Sequence, residues 1–220
     1  MDRAQKGTDA QCSWSSSSAP TSGTFGKAGM YGSNGNDGKP GSMGTVGSNS
    51  KNIVLDAKNI ASAISFDFRG GDGGSGGNGG NGGTGQNGQN GQDAGENGSL
   101  NGCTFNEPAK TTGGEGGNGG NGGRGGRGGA GGQGGTGGIV QILYGNDQPP
   151  SVSALVSGGQ GGSGGLGGIG GAGGFGGQGG YDSVTVARSA NGANGDNAKS
   201  GEPGANGQAG LTGSCSVRKK

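Results

Sequence analysis

From residue 23 to residue 47 a glycine stands at every third position, and the same period returns in four later stretches. Residues 70–83 run as Gly-Gly-X, relax to Gly85, Gly88 and Gly91, slip by one residue, and resume at Gly95 and Gly98. Residues 113–138 and 158–180 are again Gly-Gly-X. Residues 192–213 carry one glycine per triplet, with Ala198 once in a glycine slot. A period of three belongs to the extended left-handed helix with three residues per turn and a rise of about 3.1 Å. Each triplet position then forms one straight edge, and an edge of glycine alone lets another backbone come close. Such helices make no internal hydrogen bonds, so their N–H and C=O groups must pair between helices or with water.

Glycine supplies 68 of the 220 residues and the hydrophobic share is 24%, about half that of an ordinary globular domain. With so little apolar surface to bury, chain entropy argues for disorder unless the glycines are placed to pair backbones. Collagen shares the period but needs far more proline than six residues. A calcium-binding β-roll needs an aspartate-bearing Gly-Gly-x-Gly-x-Asp repeat, which does not occur. A disordered Arg-Gly-Gly segment around Arg124 and Arg127 is the third alternative. Two arginines at a net charge of +1 make a thin footprint for RNA, and nucleic acid is not the expected partner.

The five runs are of similar length, residues 23–47, 70–98, 113–138, 158–180 and 192–213, and would each reach roughly 70 to 90 Å. Residues 52–68 and 139–157 hold paired apolar stretches around the turn-like Lys58-Asn59 and the segment from Gly145 to Pro150. Both are expected to be β-hairpins, and a hairpin would turn its flanking runs antiparallel. The expected fold is a polyglycine-II bundle of about five long antiparallel helices, with short β-hairpins capping one end and no α-helix of note. Its domain plan is a flexible leader over 1–22, one bundle over 23–215 and a basic tail over 216–220. Gly73, Gly76, Gly119, Gly126, Gly164 and Gly170 are expected to be packing glycines.

No histidine is present, and no phosphate loop ending in Gly-Lys-Ser/Thr occurs. Cys12, Cys103 and Cys215 lack metal-ligand spacing. An enzyme, a metal and a cofactor are therefore not expected. Up-and-down order would bring Cys12 and Cys103 to one end, where a disulfide would contribute roughly 3 to 5 kcal/mol; the alternative is three free thiols. In the fourth run the X residues include Leu166, Ile169, Ala172 and Phe175. Either they cover a groove inside the bundle, or they form an exposed contact stripe for a partner. No apolar stretch resembles a signal peptide or a membrane span.

The glycine repeats over residues 23–213 resemble those of polyglycine-II bundle proteins, among them springtail antifreeze proteins and the glycine-rich adhesins of phage tail-fibre tips. The resemblance implies such a bundle, and binding by the segments that join its helices. The long runs depart from the short helices of the springtail proteins. The expected function is a non-enzymatic structural or adhesive scaffold, self-associating or binding a surface receptor, extracellular or on a virion or cell surface. The alternative is ice binding, for which Thr84, Ala130 and Thr136 are too sparse to build a flat face of short side chains.

Overall fold

The computed structural model describes residues 25–95 and 111–220, except 184 and 186. The leader over 1–22, Cys12 and Cys103 lie outside them. The elements are β1 (Ile53–Ala57), β2 (Ile64–Asp67), β3 (Ile139–Tyr144), β4 (Val152–Leu155) and β5 (Ser214–Lys219). β1, β3 and β5 form a three-stranded sheet with β3 in the middle, while β2 and β4 form a two-stranded one, all pairs being parallel. β5 takes in residues 216–219, which the sequence suggests as a basic tail.

This corrects the expected polyglycine-II helix bundle capped by hairpins. Among the described residues there is no helical element, and neither 52–68 nor 139–157 is a hairpin. The reason lies in the hydrogen bonds that lead into the strands. Gly44 and Gly47 donate to the carbonyls of Ala130 and Gln133, and Ser50 donates to Thr136. The same register carries on as Ile53↔Val140 and Leu55↔Ile142. On the other flank Gly137 donates to Leu211, and the strands continue as Val140↔Cys215. Strand partners are therefore inherited from lateral neighbours, and a turn that merely reverses the chain does not set them.

The chain forms two compact units. Unit 1 is Met1–Gly38, Asn81–Gly125 and Ile169–Ser200; unit 2 is Lys39–Gly80, Gly126–Gly168 and Gly201–Lys220. In unit 2 the third run touches four others. Gly129 and Gly132 donate to Gly77 and Gly74 of the second run, and Gly128 and Gly131 donate to Glu202 and Ala205 of the fifth. In return Arg127 and Ala130 accept from Gly41 and Gly44 of the first run, and Gly129 and Gly132 accept from Gly165 and Gly162 of the fourth. Falling pairs of numbers mark antiparallel neighbours, rising pairs parallel ones. Unit 1 repeats the scheme: Gly117 and Gly120 donate to Gln89 and Gln86, and Gly119 and Gly122 to Ala193 and Asp196.

Apolar burial is small and local. In β3 alternate side chains turn inward, and Val140 and Ile142 are fully buried between β1 and β5. The half-buried Phe66 and Phe68 rings lie 5.9 Å apart. Among the described residues of unit 1 the buried side chains are Ala94 and Thr111, and the Thr111 hydroxyl donates to the Gly95 carbonyl at 3.1 Å.

Within the runs the requirement for glycine is one of room. A Cβ on Gly131 would strike the Gly162 carbonyl, and one on Gly132 the Thr45 carbonyl. The same holds for Gly73 against Gly132, Gly76 against Gly129, Gly119 against Gly174, Gly164 against Gly204 and Gly170 against Ala198, all through backbone oxygens. Gly126 donates to Gly80 and accepts from Gly168. Backbone on both sides of a contact cannot yield as a flexible side chain does. Gly164→Ala is expected to destabilise the protein by about 3 kcal/mol or more, whereas exposed Arg127→Ala stays within about 0.5 kcal/mol. Thermal unfolding of the two variants checks this, and comparable losses would contradict close packing on glycine.

Candidate interaction face

Once glycines carry the contacts between runs, the X residues stand outward in columns. In unit 1 the second run presents Asn81, Thr84, Asn87, Asn90 and Asp93, and beside them the fourth run presents Ile169, Ala172, Phe175, Gln178 and Tyr181. The register is explicit in the hydrogen bonds. The Oδ1 atoms of Asn81, Asn87, Asn90 and Asp93 accept the backbone N–H groups of Ile169, Phe175, Gln178 and Tyr181 at 2.8–2.9 Å. The residue after each of these side chains completes the pair. Gly82, Gly88, Gly91 and Ala94 donate their own N–H to the carbonyls of the same four residues, at 2.8 Å. One Asn-Gly or Asp-Ala dipeptide thus clamps both backbone groups of one residue on the neighbouring run.

The clamp has a plain cause. An extended chain directs the N–H of an X residue sideways, where no backbone carbonyl of the second run is in register. The short carboxamide of asparagine reaches it in the manner of an Asx turn, but across two runs. In unit 2 Asp72 clamps Gln160 and Asn78 clamps Leu166, while Ser75 and Ser163 pair through hydroxyls at 3.1 Å. The pattern recurs between the first, third and fifth runs of unit 1. Asn34 accepts from Asn121, whose own Oδ1 accepts from Asp196.

On this scaffold Ile169 and Phe175 are 67% and 69% exposed, with exposed Ala172 between them. A hollow beside Phe175 is lined by Asn87, Gln89, Asn90 and Gln178. Leu166, the fourth member of the stripe suggested by the sequence, belongs to unit 2 and is 68% exposed. The stripe residues are exposed. Column end Tyr181 is capped by Arg188, whose guanidinium lies 4.0 Å from the ring centroid and donates to the Tyr181 hydroxyl and to the Gln178 carboxamide. The signal that sequence reasoning missed is the asparagine set: Asn or Asp in the X slot of the second run, each 88 residues before its partner.

Other polar groups are less organised. Arg69 grips Asp67 through Nε and Nη2 at 3.0 and 2.8 Å, and these side-chain hydrogen bonds hold the Asp67 carboxyl below the usual carboxylate range. A depressed carboxyl stabilises the fold above its unfolded pKa and loses that contribution as pH falls through the folded value. In an NMR titration Asp67 is expected to have a midpoint below that of an unpaired aspartate, and Arg69→Ala to raise it. Cys215, on β5, is exposed and free. Among the described residues no group of three or more His, Cys, Asp or Glu is placed to hold a metal, and no helix is long and apolar enough to cross a membrane.

No family model matches the chain, and no curated protein matches it. A solved structure, the nine polyproline type II helical bundle springtail antifreeze protein from Granisotoma rainieri, is similar at 27% identity over 77% of this chain and 92% of that one, with a TM-score of 0.10. A score that low carries no argument about fold or function.

The clamps lead to a measurable expectation. Asn87→Ala leaves the Phe175 N–H without its acceptor at an exposed position that water can partly serve, so the loss is about 1 kcal/mol. Asn87→Asp keeps an oxygen in place and is expected to lose less. Chemical denaturation of the two variants checks whether the oxygen that accepts the Phe175 N–H is what matters.

Proposed function

We propose that the protein is a non-enzymatic structural or adhesive scaffold, extracellular or on a virion or cell surface, that contacts copies of itself or a surface receptor through its columns of outward side chains. One observation carries this reading. Ile169 and Phe175 expose two-thirds of their area, while the backbone beneath them is held at both its N–H and its C=O by Asn81-Gly82 and Asn87-Gly88. Apolar groups kept in fixed positions lose little conformational freedom when a partner covers them, so more of the transfer free energy survives as affinity. A surface of this kind is suited to adhesion. Ice binding, the alternative, would draw on the same regular spacing but is poorly served by side chains as bulky as leucine, isoleucine and phenylalanine.

The test uses monodisperse protein, sedimentation over a wide concentration range, and thermal hysteresis in the same buffer. The expected result is concentration-dependent association, weakened on the order of tenfold by Phe175→Ser, since covering one such ring is worth about 1.5–3 kcal/mol. Both residues being exposed, unfolding should be unchanged within about 0.5 kcal/mol. A chain that stays monomeric leaves only the receptor half of the proposal. Freezing-point depression with shaped ice crystals, abolished by the same substitution, would replace the proposal with ice binding.

A further inference from the structure

Asparagine followed by glycine is the dipeptide most prone to spontaneous deamidation. The glycine amide nitrogen, with no side chain to hinder it, attacks the asparagine Cγ. A C–N bond forms, the bond to Nδ2 breaks, and ammonia leaves, carrying a proton in place of the one the glycine nitrogen gives up. Water then adds to either C–N bond of the cyclic imide, yielding aspartate or isoaspartate. The second product routes the main chain through the side-chain carbon and so lengthens it by one methylene.

The sequence repeats this dipeptide throughout its runs, and the clamps described above engage both reacting groups. Gly79, Gly82, Gly88 and Gly91, the nucleophiles that follow Asn78, Asn81, Asn87 and Asn90, each donate their N–H to a carbonyl of the fourth run at 2.8 Å. The carboxamide oxygens of those four asparagines accept from the fourth run at 2.8–2.9 Å. The fifth run does the same with different geometry. Asn194 accepts from Gly176 while Gly195 donates to Gly174, and Asn206 accepts from Gly164 while Gly207 donates to Gly162. The remaining Asn-Gly pairs among the described residues, at 34, 118, 121 and 191, are engaged likewise at both groups.

We infer that these Asn-Gly dipeptides are latent deamidation sites, closed while the runs are hydrogen-bonded and opened only when they separate. In the closed state the glycine nitrogen cannot lose its proton without leaving an anion against a carbonyl oxygen, and the carboxamide is directed at the adjacent run, away from its own backbone. Reaction therefore requires local opening first. The consequence is one-way: the added methylene of isoaspartate displaces every later residue of the run from its triplet register, so a modified run cannot re-form its clamps. Isoaspartate in this protein is a permanent mark of an excursion out of the folded state.

The experiment incubates the full chain at mildly alkaline pH beside a synthetic peptide of residues 84–92, too short to build the lattice, and follows isoaspartate at Asn87 and Asn90 by mass spectrometry after digestion. In the folded chain the reaction is expected to be slower by on the order of tenfold or more, because opening must precede attack. Gly174→Ala, whose Cβ would meet the Gln86 carbonyl, is expected to open this region and raise the rate toward that of the peptide. Hydrogen exchange at the Gly88 and Gly91 amides is expected to accelerate in parallel. Equal rates in folded chain and peptide would overturn the inference, as would a variant whose amides open without any gain in isoaspartate.

Discussion

Everything in this protein depends on the hydrogen bond from the N–H of one extended run to the C=O of the next, repeated at every third residue. A net gain of about 1 kcal/mol per bond is comparable to the cost of ordering one residue's backbone, about 1–2 kcal/mol, and glycine costs the most to order. Isolated runs would therefore not hold. The third run shows how the balance is tipped. Bonded in unit 2 to the first, second, fourth and fifth runs at once, it uses each ordered triplet for several bonds. Close approach is the condition for this, and a single Cβ between two backbones would disturb the spacing of a whole row, not one bond. Val140 and Ile142, the fully buried large side chains among the described residues, add a conventional core only at the sheet.

That dependence also governs the strands. Where the triplet gives way to alternating apolar residues, the chain changes its period but keeps its neighbours, so β1 meets β3, and β2 meets β4, in parallel. The sequence announces the strands clearly through Ile53, Leu55, Ile142 and Val152. It does not announce their partners. Lys58-Asn59 and the segment from Gly145 to Pro150 indicate only that the chain reverses, which fits a hairpin and a crossing between sheets equally well. The hairpin expectation failed because the deciding information sits tens of residues away, in the register of the runs.

Asparagine was legible in a similarly partial way. Asn118 and Asn121 look like members of a solvated edge, and they are exposed, yet each also accepts a backbone N–H of the fifth run. Composition cannot distinguish a carboxamide that faces only water from one that replaces a missing carbonyl. The spacing can, once the neighbours are known. Asn81, Asn87 and Asn90 each precede their partners by 88 residues, while Thr84, at the same spacing from Ala172, carries a hydroxyl in place of the longer carboxamide. For the apolar column the glycine pattern leaves open whether Leu166, Ile169 and Phe175 cover a groove or face outward, and only their exposure distinguishes the two.

Stability and surface chemistry are thus assigned to different positions of one triplet. Glycine slots carry the lattice; Ala198, which still donates its N–H to Gly171, is the smallest departure, while Gln86, Gln89 and Gln92 take over from Gly80 and Gly83 as donors to the first run. The X slots divide further. Where an X residue is asparagine or aspartate facing an N–H, it belongs to the lattice although it lies on the surface. Where it is Ile169 or Phe175, the neighbouring asparagine and glycine hold its backbone; Gly85 donates to the Ala172 carbonyl, and none of these side chains takes part in holding the runs together. The surface can therefore change its binding character residue by residue at the second kind of position without loosening the structure beneath. Such a division suits the proposed role, in which the outward side chains meet a partner.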